Sequence, residues 1–221
     1  MEFLDNLQFT SLFITAIIAT FYFYKYKHTE LKLFLFLFWY IAINEIIAVK
    51  YWEHYNTTNK FFYNILDITQ FSIIIWVLMK SINDPKGLRQ KILKILLYSL
   101  WLFYAINILF ENPINTSLDY AFIYGAIITV ISIMYYLIDL IKSTRISKIK
   151  KDLLLWINIG FLIFNISYPI IIATQKFYDP SDIDNRLHEI QLPAVLYTII
   201  IISNLVIIFG FIWSEKRSQL N

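Results

Sequence analysis

Cysteine is absent from the 221 residues, and histidine occurs only as His28, His54 and His188. The first absence excludes disulfides, thiolate nucleophiles and cysteine-ligated metals. The second leaves no histidine cluster at membrane depth for zinc or iron, because all three histidines fall in polar joints between apolar stretches. Membrane metalloprotease and hydrolase chemistries that depend on such a cluster go with it. Glycine is limited to four copies, with no nucleotide-binding pattern among them. No serine, histidine and acid set lies within an apolar stretch. Charged residues make up 16% of the chain against 58% hydrophobic, with a mean hydropathy of +0.59. Ordinary globular domains are about 45–50% apolar, so this composition exceeds what a soluble chain can hide.

What is present is long apolar runs. Seven of them, near residues 6–24, 31–52, 61–79, 92–110, 118–141, 153–174 and 192–213, are each long enough for a bilayer, which takes about 20 helical residues. The joints between them are short, and the longest, Gln175 to Gln191, is too short to fold alone. Residues 1–221 are therefore expected to form one domain. The first run follows acid, Glu2 and Asp5, where a signal peptide carries base, so it is expected to remain as a helix.

Lysine and arginine are distributed unevenly over these joints. Fifteen fall in one alternating set: Lys25, Lys27 and Lys32; Lys80, Lys86, Arg89, Lys91 and Lys94; Lys142, Arg145, Lys148, Lys150 and Lys151; Lys216 and Arg217. The other set holds four, Lys50, Lys60, Lys176 and Arg186. Positive short loops are retained in the cytoplasm, so the N-terminus is expected outside and the C-terminus in the cytoplasm. The fold class expected is all-α: a polytopic membrane protein built as a seven-transmembrane-helix bundle. The bases sit where topology requires them, so nucleic acid is not an expected partner; the lipid bilayer is. Richness in Ile, Phe, Tyr, Asn and Lys fits an AT-rich bacterial genome and an inner-membrane location.

The joints carry further signals. Asn83-Asp84-Pro85-Lys86-Gly87 and Glu111-Asn112-Pro113-Ile114-Asn115 are turn sequences. The inner joint from Lys142 to Asp152 is expected to prolong the fifth and sixth helices into water, as a solvated face or as a docking surface for a cytoplasmic partner. The joint before the last run holds Asp179, Asp182, Asp184 and Glu189 against Lys176 and Arg186. Their spacing departs from the calcium-loop pattern and lacks its turn glycine, so a solvated loop is expected there and no metal site.

Charges at membrane depth are costly and tend to face the bundle interior. Glu45 lies seven residues before Trp52 and Asp67 six after Phe61, about 10 and 9 Å of helix on antiparallel spans, which puts both carboxyls in one layer beneath the outer surface. Tyr63, Asn64, Asp67 and Gln70 form a polar face on the third helix, and Asn44 adds an amide beside Glu45. Desolvation and mutual repulsion lead us to expect a proton on at least one of the two acids at neutral pH. The competing reading is that these groups only join helices by hydrogen bonds. A second set joins the sixth and seventh helices. Asn158, Asn165 and Tyr168 share one face, Pro169 frees the Asn165 carbonyl at a kink and serves as a hinge, and Tyr197 and Asn204 are seven apart. Packing asparagines in an inert bundle are the alternative there. Asn107 and Tyr104 on the fourth helix, and Tyr124 on the fifth, are placed to face the outer layer. Asp139 and Lys142 at i+3 read as an interfacial ion pair.

Layout, with Asn44-Glu45, Tyr63-Asn64-x-x-Asp67 and Asn165-x-x-Tyr168-Pro169, resembles the seven-helix sensory input regions that precede bacterial histidine kinases, and small stand-alone seven-transmembrane bacterial proteins. A retinal protein would need a lysine between Leu192 and Trp213, and there is none; Pro-Gln turns and intramembrane histidines are likewise missing. The resemblance implies a non-enzymatic sensor. The expectation is a protein that binds a small molecule, lipid or proton in a polar outer-half pocket, without a cofactor, and signals to a separate partner through its basic inner loops. A proton- or cation-coupled transporter or channel, and a structural membrane subunit, are the alternatives.

Overall fold

The structure, a computed structural model, describes residues 2–82, 84, 87–142, 146–177 and 183–215, with residues 2, 146–148, 175–177 and 183–190 described by their backbone alone. Most of the Asn83–Gly87 turn, Arg145, Asp179, Asp182, Lys216 and Arg217 lie outside the described residues, as do the side chains of Lys148, Lys176, Asp184, Arg186 and Glu189.

The described chain is helical throughout its spans: α1 (Glu2–Phe21), α2 (Lys32–Tyr55), α3 (Lys60–Ser81), α4 (Leu88–Phe110), α5 (Asp119–Lys142), α6 (Leu153–Phe177) and α7 (Ile183–Trp213). Helix is the form that satisfies each backbone donor and acceptor within the segment, as hydrocarbon surroundings require. All seven are long and apolar enough to cross a membrane, the layout of a multi-pass membrane protein. Their apolar side chains also line the exterior. On α4, Leu109 and Phe110 are 81% and 84% exposed, a surface that calls for lipid rather than water.

Helix ends follow local chemistry. Asn56 closes α2 in the left-handed region (φ 49°), its N–H donating to the Trp52 carbonyl at 2.9 Å. Gly87 (φ +66°) turns the chain into α4, and the Asp84 carboxylate caps that helix by accepting from the Arg89 N–H. Two departures from the sequence expectation appear. The basic joint after α5 does not prolong α6: Ile146–Lys151 is a 3-10 segment, and Asp152 starts α6 by accepting from the Leu154 N–H at 2.9 Å. The joint before the last span is also partly helical, since α7 begins at Ile183 and so encloses Pro193 as well as the span.

Six helices close a ring. α1 packs on α2, α2 on α3, α3 on α5, α5 on α6, α6 on α7, and α7 returns to α1. α4 stands outside, with α3 and α5 as its main neighbours. Small residues permit the closest approaches. Gly125 of α5 receives the Phe71 ring of α3, Gly160 of α6 leaves room for Ile207 and the Ser203 carbonyl of α7, and Gly210 of α7 faces the Trp156 Cβ of α6. A Cβ at Gly160 would lie 2.9 Å from that carbonyl oxygen.

One end of the ring is basic and tied together. Lys25, in a 3-10 turn after α1, donates to the carbonyls of Phe211 (2.8 Å), Ile212 (3.3 Å) and Ser214 (2.6 Å) at the end of α7. Lys151 pairs with Glu215 at 2.9 Å, and Arg89 with Asp139 at 2.7 Å. The Arg89 partner is a cross-helix one, set by α4 packing its first turn on the last turn of α5; i+3 spacing alone had pointed to Lys142.

Candidate functional site

A cavity of about 310 Å³ opens inside the ring toward the end opposite the basic one. Its wall is drawn from α1, α2, α3, α5, α6, α7 and from Ser117 in the joint before α5; α4 contributes nothing. Lys60, exposed at the start of α3, stands at the rim. Asp67 and Gln70 follow it down the same helix, about 10 and 15 Å deeper at ~1.5 Å per residue. Glu45 faces them from α2. The floor is apolar, formed by Phe38, Phe161 and Ile207 beside Gly160.

The two acids are held differently. Glu45 Oε2 accepts from the Tyr63 hydroxyl at 3.2 Å, a bond between α2 and α3. Asp67 takes no hydrogen bond from any described residue, and its carboxyl meets the cavity. Further acids act electrostatically on both: Asp119 on Asp67, and Asp5 on Glu45. Tyr197 of α7 lies against Asp5 of α1. Around them the wall keeps polar groups in reserve. Gln8, Gln70 and Ser203 are 5%, 6% and 6% exposed, line the cavity, and find no side-chain partner among the described residues. An aromatic face completes it: Tyr168 meets Phe122 edge-on at 4.8 Å and stacks on Phe164 at 5.2 Å.

Of the residues singled out in the sequence, Glu45, Tyr63, Asp67, Gln70 and Tyr168 come together on this wall, with Tyr197 and Asn204 from α7. The two sets of sequence candidates thus meet in one space. Seven others do not reach it, among them Tyr104 and Asn158, whose hydroxyl and amide are buried without a partner among the described residues. Asn64 is spent on the joint between α4 and α5, its amide donating to the Pro113 and Thr116 carbonyls (2.8 and 2.9 Å) while its Oδ1 accepts from the Leu118 N–H (3.0 Å). Asn44 is buried off the Glu45 face, with its Nδ2 unpartnered among the described residues. Tyr124 turns outward, donating to Ser99 of α4 at 3.0 Å and stacking on Phe103 at 4.4 Å. Asn107 lies on α4, outside the ring, and donates to its own helix at Phe103. Asn165 likewise donates back to Phe161 at 2.8 Å, one residue position away from the lining face of α6. Pro169 lies inside α6 as the sequence places it.

The α1 contribution is the one that sequence reasoning missed. Gln8, Ser11 and Thr15 repeat at i, i+3 and i+7, a polar stripe visible in the sequence. Thr15 bonds Asn204 Oδ1 at 2.8 Å and Gln8 lines the cavity, so the stripe is the seam between the first and last helices. Among the described residues no group of three or more His, Cys, Asp or Glu side chains is placed to hold a metal ion.

From the floor an aromatic column runs to the basic end. Phe38 stacks with Phe161 at 6.4 Å and meets Phe211 edge-on at 5.9 Å, and Phe211 meets Tyr26 at 5.6 Å. Phe211 is the residue whose carbonyl Lys25 holds. Burial and the nearby charge of Lys151 lower the Lys25 pKa from its ordinary value of 10.5.

No family model matches the chain, and comparison with curated proteins and with solved structures finds no significant match.

Proposed function

We propose that this chain is a non-enzymatic membrane sensor: a small molecule enters the cavity from outside the cell, and the basic end reports its presence to a separate cytoplasmic partner. In this reading the N-terminus lies outside and the C-terminus in the cytoplasm of a bacterial inner membrane, and the fifteen-to-four division of bases supports that orientation. The observation that carries the reading is that Glu45 and Asp67, on neighbouring helices, line one cavity in which Asp67, Gln8, Gln70 and Ser203 have no described partner. A wall that turns several polar groups without described partners toward one cavity is suited to a ligand that bonds them. Transmission has a physical carrier in the column from Phe38 through Phe211 to Tyr26 and Lys25. Its support is contiguity, and coupling along it is for experiment to measure.

The test is double substitution in the purified protein. Glu45→Ala with Asp67→Ala abolishes ligand-dependent changes in protection of the basic end, read by hydrogen exchange, while the fold persists. Loss of stability with no change in any response to ligand would instead mark a structural subunit. A proton- or cation-coupled transporter is favoured by one observation: buried polar atoms without described partners continue past the floor, at Asn158 of α6 and Thr129 of α5. Proton or cation flux in proteoliposomes that disappears in Asp67→Asn would replace the sensor reading with transport.

A further inference from the structure

The cavity has a chemical bias beyond its polarity, and from it we infer that the ligand is an organic cation, an amine carried on a compact aromatic or similarly apolar body. This deepens the sensor reading and rests on the cavity being a ligand site. Glu45 and Asp67 line the space directly, and Lys60 at the rim is the one base on the described wall. An ammonium entering between the carboxyls favours their ionised forms and is stabilised by them, whereas an anion finds only acceptors or neutral acids, so the wall selects for a cation. Asp67 supplies an acceptor with no competing donor among the described residues, which is what an ammonium group needs on leaving water. Glu45, already braced by Tyr63, is placed to supply a second carboxylate to a bound ammonium.

Below the acids the wall changes character. Phe122, Phe164 and Tyr168 form a contiguous three-ring face, with Phe122 and Phe164 6.3 Å apart and edge-on, and Phe38 and Phe161 form the floor. Ring faces attract cations, and the apolar floor accepts a hydrocarbon or aromatic body. A simple metal ion would leave that floor unused. An anionic lipid headgroup would meet the acids. The volume, about 310 Å³, lies at the small end of ligand pockets, about 300–1,000 Å³, and suits a monoamine rather than a long polyamine. Gln8, Gln70 and Ser203 remain to bond whatever polar substituent the body carries.

Calorimetry on the full chain in nanodiscs distinguishes the outcomes, using tryptamine, its neutral analogue 3-ethylindole and the anion indole-3-acetate. Tryptamine is expected to saturate one site and to bind at least about tenfold more tightly than 3-ethylindole, with indole-3-acetate weakest. Asp67→Asn is expected to lower tryptamine affinity by about tenfold or more and to leave 3-ethylindole unchanged, whereas Asn107→Ala alters neither. Glu45→Gln carries the comparison if Asp67→Asn does not fold. Equal affinity for amine and neutral analogue, or indifference to both substitutions, overturns the cation inference and leaves the ligand cavity standing. No binding by any of the three also overturns it. If, in that case, filling the space with Gln70→Leu and Ser203→Val only raises thermal stability and alters no cellular response, the cavity is a packing void and the sensor reading falls as well.

Discussion

Asn64 and Asp67 are one helical turn apart and have opposite fates. Asn64 spends three hydrogen bonds, both of its donors included, on a surface joint, and Asp67 makes none with any described residue. The reason is angular: at about 100° per residue Tyr63, Asp67 and Gln70 fall within a narrow arc, and Asn64 lies outside it. Asn64→Ala is accordingly expected to lower stability by about 2 kcal/mol or more, measured by unfolding in mixed micelles, because three bonds to the joint are lost together. A smaller effect on stability with a large effect on ligand affinity would return Asn64 to the binding wall. Lys25 makes a prediction in pH. Its folded-state pKa is lowered from 10.5 by burial first and by Lys151 second. Between the lowered value and 10.5 the unfolded chain binds more protons than the folded one, so this residue's contribution to stability rises with pH across that window. The stability difference between wild type and Lys25→Met should therefore shift in favour of wild type as pH climbs toward 10.5. A difference independent of pH would contradict the burial of this ammonium.

Among the elements, α6 and α7 form the tightest pair, since Gly160 and Gly210 each bring a bulky partner against bare backbone. Gly210→Ala places a methyl on the Cβ of Trp156, an atom that cannot swing aside, and should cost about 1–3 kcal/mol in the same unfolding measurement. Alanine tolerated there without loss would mean that the helices separate freely. The helices themselves were legible in the sequence. Seven apolar runs read by length alone fall within a few residues of the spans found, since hydrocarbon thickness dictates how long a run must be. Which way each helix faces was much less legible. In a membrane both the lipid side and the packed side are apolar, so the contrast that orients a helix in a soluble protein is missing. Glu45, Asp67 and Tyr168 could be placed because deep polar groups avoid lipid. Asn107 and Tyr124 were misplaced because nothing in their spacing reveals that α4 stands outside the ring. The Gln8, Ser11 and Thr15 stripe was readable in principle and was masked by its milder polarity.

For the whole molecule, the ring, cavity and basic end make one arrangement in which the two ends differ in charge and in tethering. Replacing Phe211 with alanine removes the link between Phe38 and Tyr26 while leaving the cavity wall intact. Tryptamine affinity should survive in Phe211→Ala, and ligand-dependent protection around Lys25 and Glu215 should be lost; retention of that protection would mean that the column carries no coupling. Closure of the ring has a further consequence during synthesis. The wall is complete only once α7 docks against α1, where Thr15 meets Asn204. Until α7 has been made and has docked, Glu45 and Asp67 sit in a trough with one side missing. A lesion in α7 therefore forfeits the contribution of every wall helix made before it.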